Sequence, residues 1–253
     1  MKHYVIVPFY PYAKSPLHDE DLFTPGNERL TSAVSHLKRY LIPSLMNSST
    51  HDFTVLLGIN KDLATLAPDI HESLLGLKAQ PFKMEVLDWF SYYDYITEQG
   101  DKEVIATRID HDDCFGKDSL SLIQQRATFK EPFEFFAFMR GAMYWESTGV
   151  VKSYTSPTWK DGVSSFSASP TMYCRWDEIH ALPVHGHTKL TSITDPLRVV
   201  LRPGLNHFLD YEHELSWLYV RHGMNRSREK WYHPDDTPIA VDLQNVFGLV
   251  NKK

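Results

Sequence analysis

Residues 103–113 read Glu-Val-Ile-Ala-Thr-Arg-Ile-Asp-His-Asp-Asp, a run of strand-forming residues that passes directly into three carboxylates. The run predicts a buried strand over Glu103–Ile109. Three carboxylates within four residues repel one another, and their desolvation at a strand end is costly. A divalent cation would resolve that conflict, because Mg²⁺, Mn²⁺ and Ca²⁺ take oxygen ligands. The segment therefore predicts a strand with a candidate cation site at its carboxyl end, where open α/β sheets bind their ligands.

The rest of the first half alternates strand and helix patterns, as βαβ units with a mostly parallel sheet do. Apolar residues recur at helical spacing between Leu30 and Leu45, with Asn27 and Glu28 as the start and Pro43 as a bend or end. Pro68 predicts an interruption of the second helix. The predicted strands are Tyr4–Phe9, Phe53–Ile59 and Lys83–Trp89, and the predicted helices are Leu30–Leu45, Lys61–Gly76 and Ser119–Ala127.

The second half has a different pattern. Residues 133–175 are rich in aromatic and β-branched residues, which predicts antiparallel or mixed strands and long loops. Apolar residues at helical spacing predict a helix over Asn206–His222. The segment Ile239–Val250 is interpreted as a strand or a docking segment.

Composition excludes several classes of protein. The 253 residues include 26 Lys+Arg and 32 Asp+Glu, so the net charge is −6, which argues against a generally basic nucleic-acid binder. Cys114 and Cys174 are too few and too far apart for a disulfide framework or a cysteine zinc site. No signal peptide or membrane-spanning run is recognised. These features predict a cytoplasmic protein that binds no nucleic acid and has no transmembrane segment; peripheral contact with a membrane remains open.

The run Arg108–Asp113 resembles the Arg-x-Asp-x-Asp-Asp form of the DxD motif in glycosyltransferases of the GT-A fold, particularly the bacterial rhamnosyltransferase family. Residues 41–45 and 217–225 resemble other parts of that family in the same order, whereas residues 7–10 depart from it. The resemblance implies a GT-A-like, Rossmann-type three-layer αβα sandwich with a mixed, mostly parallel sheet. It implies one domain over residues 1–253, with a nucleotide-sugar-binding half over 1–117 and an acceptor-binding half and C-terminal tail over 118–253.

The resemblance also implies roles for residues of the motif. Asp110 would face the donor's ribose or a metal-bound water. Asp112 would bind the metal, either Mn²⁺ or Mg²⁺, with Asp113 as an alternative ligand. Arg108 would pair with the same acidic cluster or reach a phosphate.

The resemblance also implies a further metal or phosphate ligand near the C-terminus, commonly a histidine. His222 lies in the matching segment beside a glycine, and Asn225 would hydrogen-bond the diphosphate. The rival is His187, because His185 and His187 alternate and would share one face of a strand.

An inverting transferase needs a general base that deprotonates the acceptor hydroxyl. Asp161 and Asp177 are the candidates, since each lies near a tryptophan that would stack on a sugar. A retaining mechanism would need no such base. The aromatic residues considered for an acceptor groove are Tyr144, Trp145, Trp159, Trp176 and Trp231.

The resulting hypothesis is a metal-dependent glycosyltransferase that moves a sugar, with rhamnose as the candidate, from a nucleotide-sugar donor to a glycan or lipid-linked saccharide acceptor. One alternative is a metal-dependent phosphoesterase that activates water with the same carboxylates and with His185 and His187. The other is a non-enzymatic, calcium-stabilised carbohydrate-binding protein, which the βαβ alternation disfavours because such modules are mostly all-β.

Overall fold

A computed structural model describes residues 1–9, 28–78, 80–88, 91–127, 133–138, 140–155, 171–175, 206–209, 215–222 and 238–250. The strands are β1 (Lys2–Pro8), β2 (Thr54–Ile59), β3 (Lys83–Asp88), β4 (Glu103–Arg108), β5 (Cys114–Phe115), β6 (Phe133–Phe138), β7 (Arg140–Trp145), β8 (Val150–Thr155), β9 (Thr171–Arg175), β10 (Asn206–Leu209) and β11 (Trp217–Arg221). The helices are α1 (Glu28–His36), α2 (Ile42–Met46), α3 (Leu63–Leu66), α4 (Pro68–Leu75), α5 (Tyr92–Glu98), α6 (Ser119–Arg126) and α7 (Leu243–Phe247). A π-helical turn (Leu37–Leu41) joins α1 to α2, and a 3₁₀ turn (Gly76–Lys78) follows α4.

The main sheet has seven strands in the order β10-β6-β9-β4-β1-β2-β3. Strands β4, β1, β2 and β3 are consecutive in this order and run parallel to one another. Strand β9 runs antiparallel to both β4 and β6, and β10 is parallel to β6. The α/β class with a mixed, mostly parallel sheet is therefore confirmed.

Helices pack against both faces of this sheet. Successive side chains of β1 point to opposite faces, and those from His3 to Pro8 are all buried. Val5 and Val7 belong to a core that also contains apolar residues of α1, α2 and α6. On the other face, the ring of Tyr4 meets the ring of Tyr95 from α5 edge-on, with centroids 6.4 Å apart. The result is the expected three-layer αβα arrangement.

A second sheet, in the order β5-β11-β7-β8, lies beside the main core. Strand β11 is buried on both sides. Trp217 and Tyr219 belong to the main core, whereas Leu218 and Val220 belong to a second core with Leu243 and other residues around α7. The sheet thus brings the end of β11 close to the carboxyl end of β4.

The helix expected over Asn206–His222 is wrong, because the described parts of this range form β10 and β11. A strand buried on both faces is apolar at every position, so helical spacing can be read from it without a helix being present. The strand interpretation of Ile239–Val250 is also wrong, since the segment contains α7 and meets β8 only at its start, where the N–H of Ile239 donates to the carbonyl of Val151. The docking interpretation agrees with the packing of Leu243, Phe247 and Leu249 in the second core. The break at Pro68 is confirmed, because α3 ends at Leu66 and α4 begins at Pro68.

Within the described ranges, no helix is both long enough and apolar enough to cross a bilayer.

Candidate functional site

The acidic segment Asp110–Asp113 is a tight connection between the two sheets. The N–H of Ile109 donates to the carbonyl of Ile6 at 3.1 Å, which continues the contact between β4 and β1. The N–H of Asp113 then donates to the carbonyl of Asp110 at 3.2 Å and closes a turn, after which β5 begins. The three carboxylates therefore lie where the carboxyl end of β4 meets the second sheet.

Arg108 and Asp110 form an ion pair at this edge. The Nη2 of Arg108 donates to the Oδ1 of Asp110 at 2.9 Å. Of the two roles considered for Arg108, the described contact is the pairing with the acidic cluster. This ion pair orients the carboxylate of Asp110, which is half-buried at the start of the connection between β4 and β5.

Asp112 and His222 are brought together across 110 positions of the sequence, with His222 Nε2 lying 2.9 Å from Asp112 Oδ2. The side chains are only 15% and 7% exposed, respectively. Burial raises the pKa of Asp112, but His111 and the hydrogen bond from His222 outweigh it, so the pKa lies below its ordinary value. Asp112 is therefore an ionised carboxylate that accepts a hydrogen bond from the imidazole.

Asp113 points into the protein. Its Oδ1 accepts a hydrogen bond from the backbone N–H of Val220 at 3.2 Å, and its Oδ2 has no hydrogen-bond partner among the described residues. Burial, then the neighbouring Asp112 and Asp110, raises the pKa of Asp113 well above its ordinary value. A fully buried carboxyl with these contacts links the acidic segment to β11 two residues before His222.

Two residues that sequence reasoning missed, His36 and Glu146, complete the surroundings of His222. The rings of His36 and His222 have centroids 3.9 Å apart, and His36 Nε2 lies 3.4 Å from Glu146 Oε2. Burial, and then the proximity of His222, lowers the pKa of His36 below its ordinary value. A chain of contacts therefore runs from Glu146 through His36 and His222 to Asp112.

Asp112 supplies the carboxylate oxygen that hard divalent cations prefer, whereas the imidazole of His222 is a less typical ligand for them, so the donor set is small and mixed. No group of three or more His, Cys, Asp or Glu residues in the described ranges is arranged to hold a metal ion. Mg²⁺ is, however, commonly held by one or two protein carboxylates together with substrate phosphates and water. The 2.9 Å between Asp112 and His222 is an ordinary hydrogen-bond distance. The two side chains would hold a metal ion only together with substrate oxygens or water.

Four of the predicted site residues lie outside the described residues, namely Asp161, Asp177, His187 and Asn225. The same is true of Trp159, Trp176 and Trp231. Tyr144 and Trp145 are described, and they contact other parts of the protein: the ring of Tyr144 meets Tyr40, and the ammonium of Lys152 lies over the ring of Trp145. The acceptor side therefore remains a prediction from the sequence.

Comparison with known proteins finds no matching family model and no match among curated proteins. Similar solved structures include S. aureus TarS, at a TM-score of 0.45 and 12% identity over 87% of this chain and 37% of that one. They also include a Bacillus anthracis "Putative Glucose-1-Phosphate Thymidylyltransferase" in complex with a sucrose. Its TM-score is 0.35, and the identity is 13% over 85% of this chain and 88% of that one. This chain spans little more than a third of TarS. Both likenesses are too weak to support an inference, and the fold class rests on the sheet topology.

Proposed function

We propose that the protein is a metal-dependent glycosyltransferase that moves a sugar from a nucleotide-sugar donor to a glycan or lipid-linked saccharide. The observation that carries this proposal is the 2.9 Å contact between Asp112 and His222. Asp112 belongs to the DxD-like run, and His222 is the C-terminal histidine that the resemblance pairs with that run. Rhamnose is proposed as the sugar on the sequence resemblance alone.

In this proposal Asp112 and His222 hold Mn²⁺ or Mg²⁺, and Asp110 faces the donor's ribose or a metal-bound water. The ion would supply Lewis-acid stabilisation of the charge on the departing nucleoside diphosphate. Arg108 keeps the carboxylate of Asp110 oriented through their 2.9 Å contact. Asp113 would hold β11 in place from the interior rather than serve as the alternative ligand.

The acceptor side of the proposal comes from the sequence. Asp161 or Asp177 is the proposed general base of an inverting reaction, His187 remains the rival metal ligand, and Asn225 the proposed diphosphate contact. The parallel strands of the main sheet disfavour the carbohydrate-binding alternative, since such modules are mostly all-β.

Thermal unfolding with nucleoside diphosphates of different bases, each with and without Mn²⁺, tests the proposal. A nucleotide at a hundred times its Kd stabilises the folded state by about 2.7 kcal/mol, or roughly 5–10 °C for a chain of this size. We expect this Mn²⁺-dependent shift for one nucleotide, and its loss in Asp112→Asn, which retains a hydrogen-bond acceptor for His222. Asp62→Asn, at an exposed turn residue, is the matched control and should keep the shift.

Other outcomes would overturn the proposal. Stabilisation by free glycans and by no nucleotide would favour the carbohydrate-binding protein. Metal-dependent hydrolysis of a phosphate ester, with no sugar transfer to any glycan, would favour the phosphoesterase. Full Mn²⁺-dependent binding in Asp112→Asn would remove Asp112 from the site.

A further inference from the structure

We propose that His36, held by Glu146, is a positioning residue that fixes the imidazole of His222 beside Asp112. The inference rests on the proposed function, because it assigns a supporting role at the same site. It is carried by the contacts around Glu146, His36 and His222.

Glu146 is held from two directions. Its backbone N–H donates to the carbonyl of Arg221 at 2.9 Å, so it is tied to the residue just before His222. Its Oε1 accepts hydrogen bonds from the guanidinium of Arg39 and, at 2.9 Å, from the hydroxyl of Tyr40. The other carboxylate oxygen, Oε2, lies 3.4 Å from His36 Nε2. These contacts restrict the position of Glu146, and Glu146 in turn restricts the His36 ring.

One helical face supplies the three side chains that meet Glu146. His36, Arg39 and Tyr40 are spaced i, i+3 and i+4, and residues at this spacing lie side by side on a helix. His36 is the last residue of α1, and the other two lie in the π-helical turn that follows. Such turns often occur at functional sites.

The orientation of the His36 ring is defined at both nitrogens. Nδ1 lies 3.5 Å from the hydroxyl oxygen of Ser32, and Nε2 faces Glu146. The ring packs against that of His222 with centroids 3.9 Å apart and planes inclined by 33°. This distance leaves no room for water between the rings, so His36 restricts the rotation of His222. A restricted His222 keeps its Nε2 directed at Asp112.

The charged and titratable groups that face His36 come from several elements. They are Glu146 after β7, Asp112 and His111 in the acidic segment, and His222 at the end of β11. Residues that orient a metal ligand through a second contact commonly contribute ten- to a hundred-fold to metal affinity, by order of magnitude. His36 and Glu146 occupy such positions relative to the ligand proposed at His222.

Nitrogen NMR of histidine-labelled, metal-free protein tests the inference directly. The signal of His222 Nε2 is identified by its loss in His222→Gln. In both His36→Ala and Glu146→Gln we expect this signal to move toward that of a solvent-exposed imidazole, and the affinity for Mn²⁺ to fall by about ten-fold or more. His51→Ala removes an exposed histidine and should change neither measurement.

Glu146→Gln leaves no void and keeps the inference testable if His36→Ala does not fold. An unchanged His222 signal and unchanged Mn²⁺ affinity in a folded variant would overturn the inference. If the wild-type protein binds no nucleotide with Mn²⁺, the proposed function fails, but the NMR signal of the metal-free protein still decides the role of His36.

Discussion

His222 Nε2 lies 2.9 Å from the Asp112 carboxylate, although 110 positions separate the two residues in the chain. The contact joins the acidic connection after β4 to the end of β11, so it links the main sheet to the second sheet. Both side chains are largely withdrawn from solvent, and the hydrogen bond is charge-assisted because Asp112 is ionised. The pair is therefore expected to contribute to stability as well as to the proposed metal site.

A double-mutant cycle of Asp112→Ala and His222→Ala measures this contribution, because neither alanine can form a hydrogen bond in place of the original pair. In the presence of a chelator we expect a coupling free energy of about 1–3 kcal/mol from urea unfolding, since the charged partners are shielded from water. The exposed pair Lys78 and Glu85, at 3.3 Å, is the control and should give about 0.2–1 kcal/mol. Equal coupling in the two pairs would contradict the expectation.

Asp113→Ala should destabilise the protein by about 1–3 kcal/mol, because the buried N–H of Val220 loses its acceptor. Asp113→Asn retains an oxygen that can accept this hydrogen bond and should remain closer to wild type. Urea unfolding of both variants tests the difference. If the two substitutions have equal effects, the Val220 contact is not the cause.

Gly141→Ala should destabilise the junction between the sheets. A Cβ at this position would lie 2.1 Å from Cδ2 of Trp217, and the indole has no freedom to move because it is fully buried and its Nε1 donates to the carbonyl of Phe138. Overpacking of this kind costs about 1–3 kcal/mol or more, which thermal unfolding would show as a lower Tm.

Gly76→Ala is the matched control for Gly141. A Cβ at Gly76 meets nothing within 4 Å, and its backbone φ of −61° is one that alanine adopts freely. We expect a stability equal to wild type or higher by about 0.4–1 kcal/mol. A lower Tm in this variant would show that the loss at Gly141 is not specific to the Trp217 contact.

The burial of His3 predicts that the protein loses stability in acid. Burial lowers the pKa of His3 to about 3, and the neutral ring contacts Thr107 Oγ1 at 2.8 Å and Gln124 Nε2 at 3.3 Å. In the unfolded chain the pKa returns to about 6.5. Below that pH the unfolded state binds a proton that the folded state excludes. Stability attributable to His3 should therefore be intact above about pH 6.5 and reduced by about 2 kcal/mol at pH 5.

Replacing His3 with Gln isolates this effect. Urea unfolding between pH 7.5 and 4.5 should show a shallower loss of stability in His3→Gln than in the wild type. His51→Gln, at an exposed histidine, should keep the wild-type slope. An identical slope in all three proteins would mean that His3 does not titrate in this way.

The strands β1 to β4 were predictable because each is a short apolar run with a polar boundary, and local pattern is enough to place such strands. Strand β11 was not predictable from local pattern, since Trp217 and Tyr219 face one core while Leu218 and Val220 face another. That burial depends on the second sheet, which no local pattern contains. Helix α5 was also missed, and its packing against Tyr4 is a long-range contact.

The acidic half of the site was predictable because its carboxylates are adjacent in the sequence. His222 was chosen through the family resemblance, and its contact with Asp112 is present in the structure. His36 and Glu146 were missed, since their contacts with each other and with His222 join residues that are far apart in the chain. An i, i+3, i+4 set of polar residues on a mostly apolar helix is the pattern that could have drawn attention to His36.

The π-helical turn at Leu37–Leu41 holds one residue more than an α-helical turn, because its hydrogen bonds span five residues instead of four. Deleting one residue from this turn would let α1 continue into α2 as a regular α-helix with the two helices nearly in phase. The side chains within the turn would change direction, and Arg39 and Tyr40 would lose their contacts with Glu146 Oε1. A single-residue deletion would therefore preserve the helix and remove the support of Glu146.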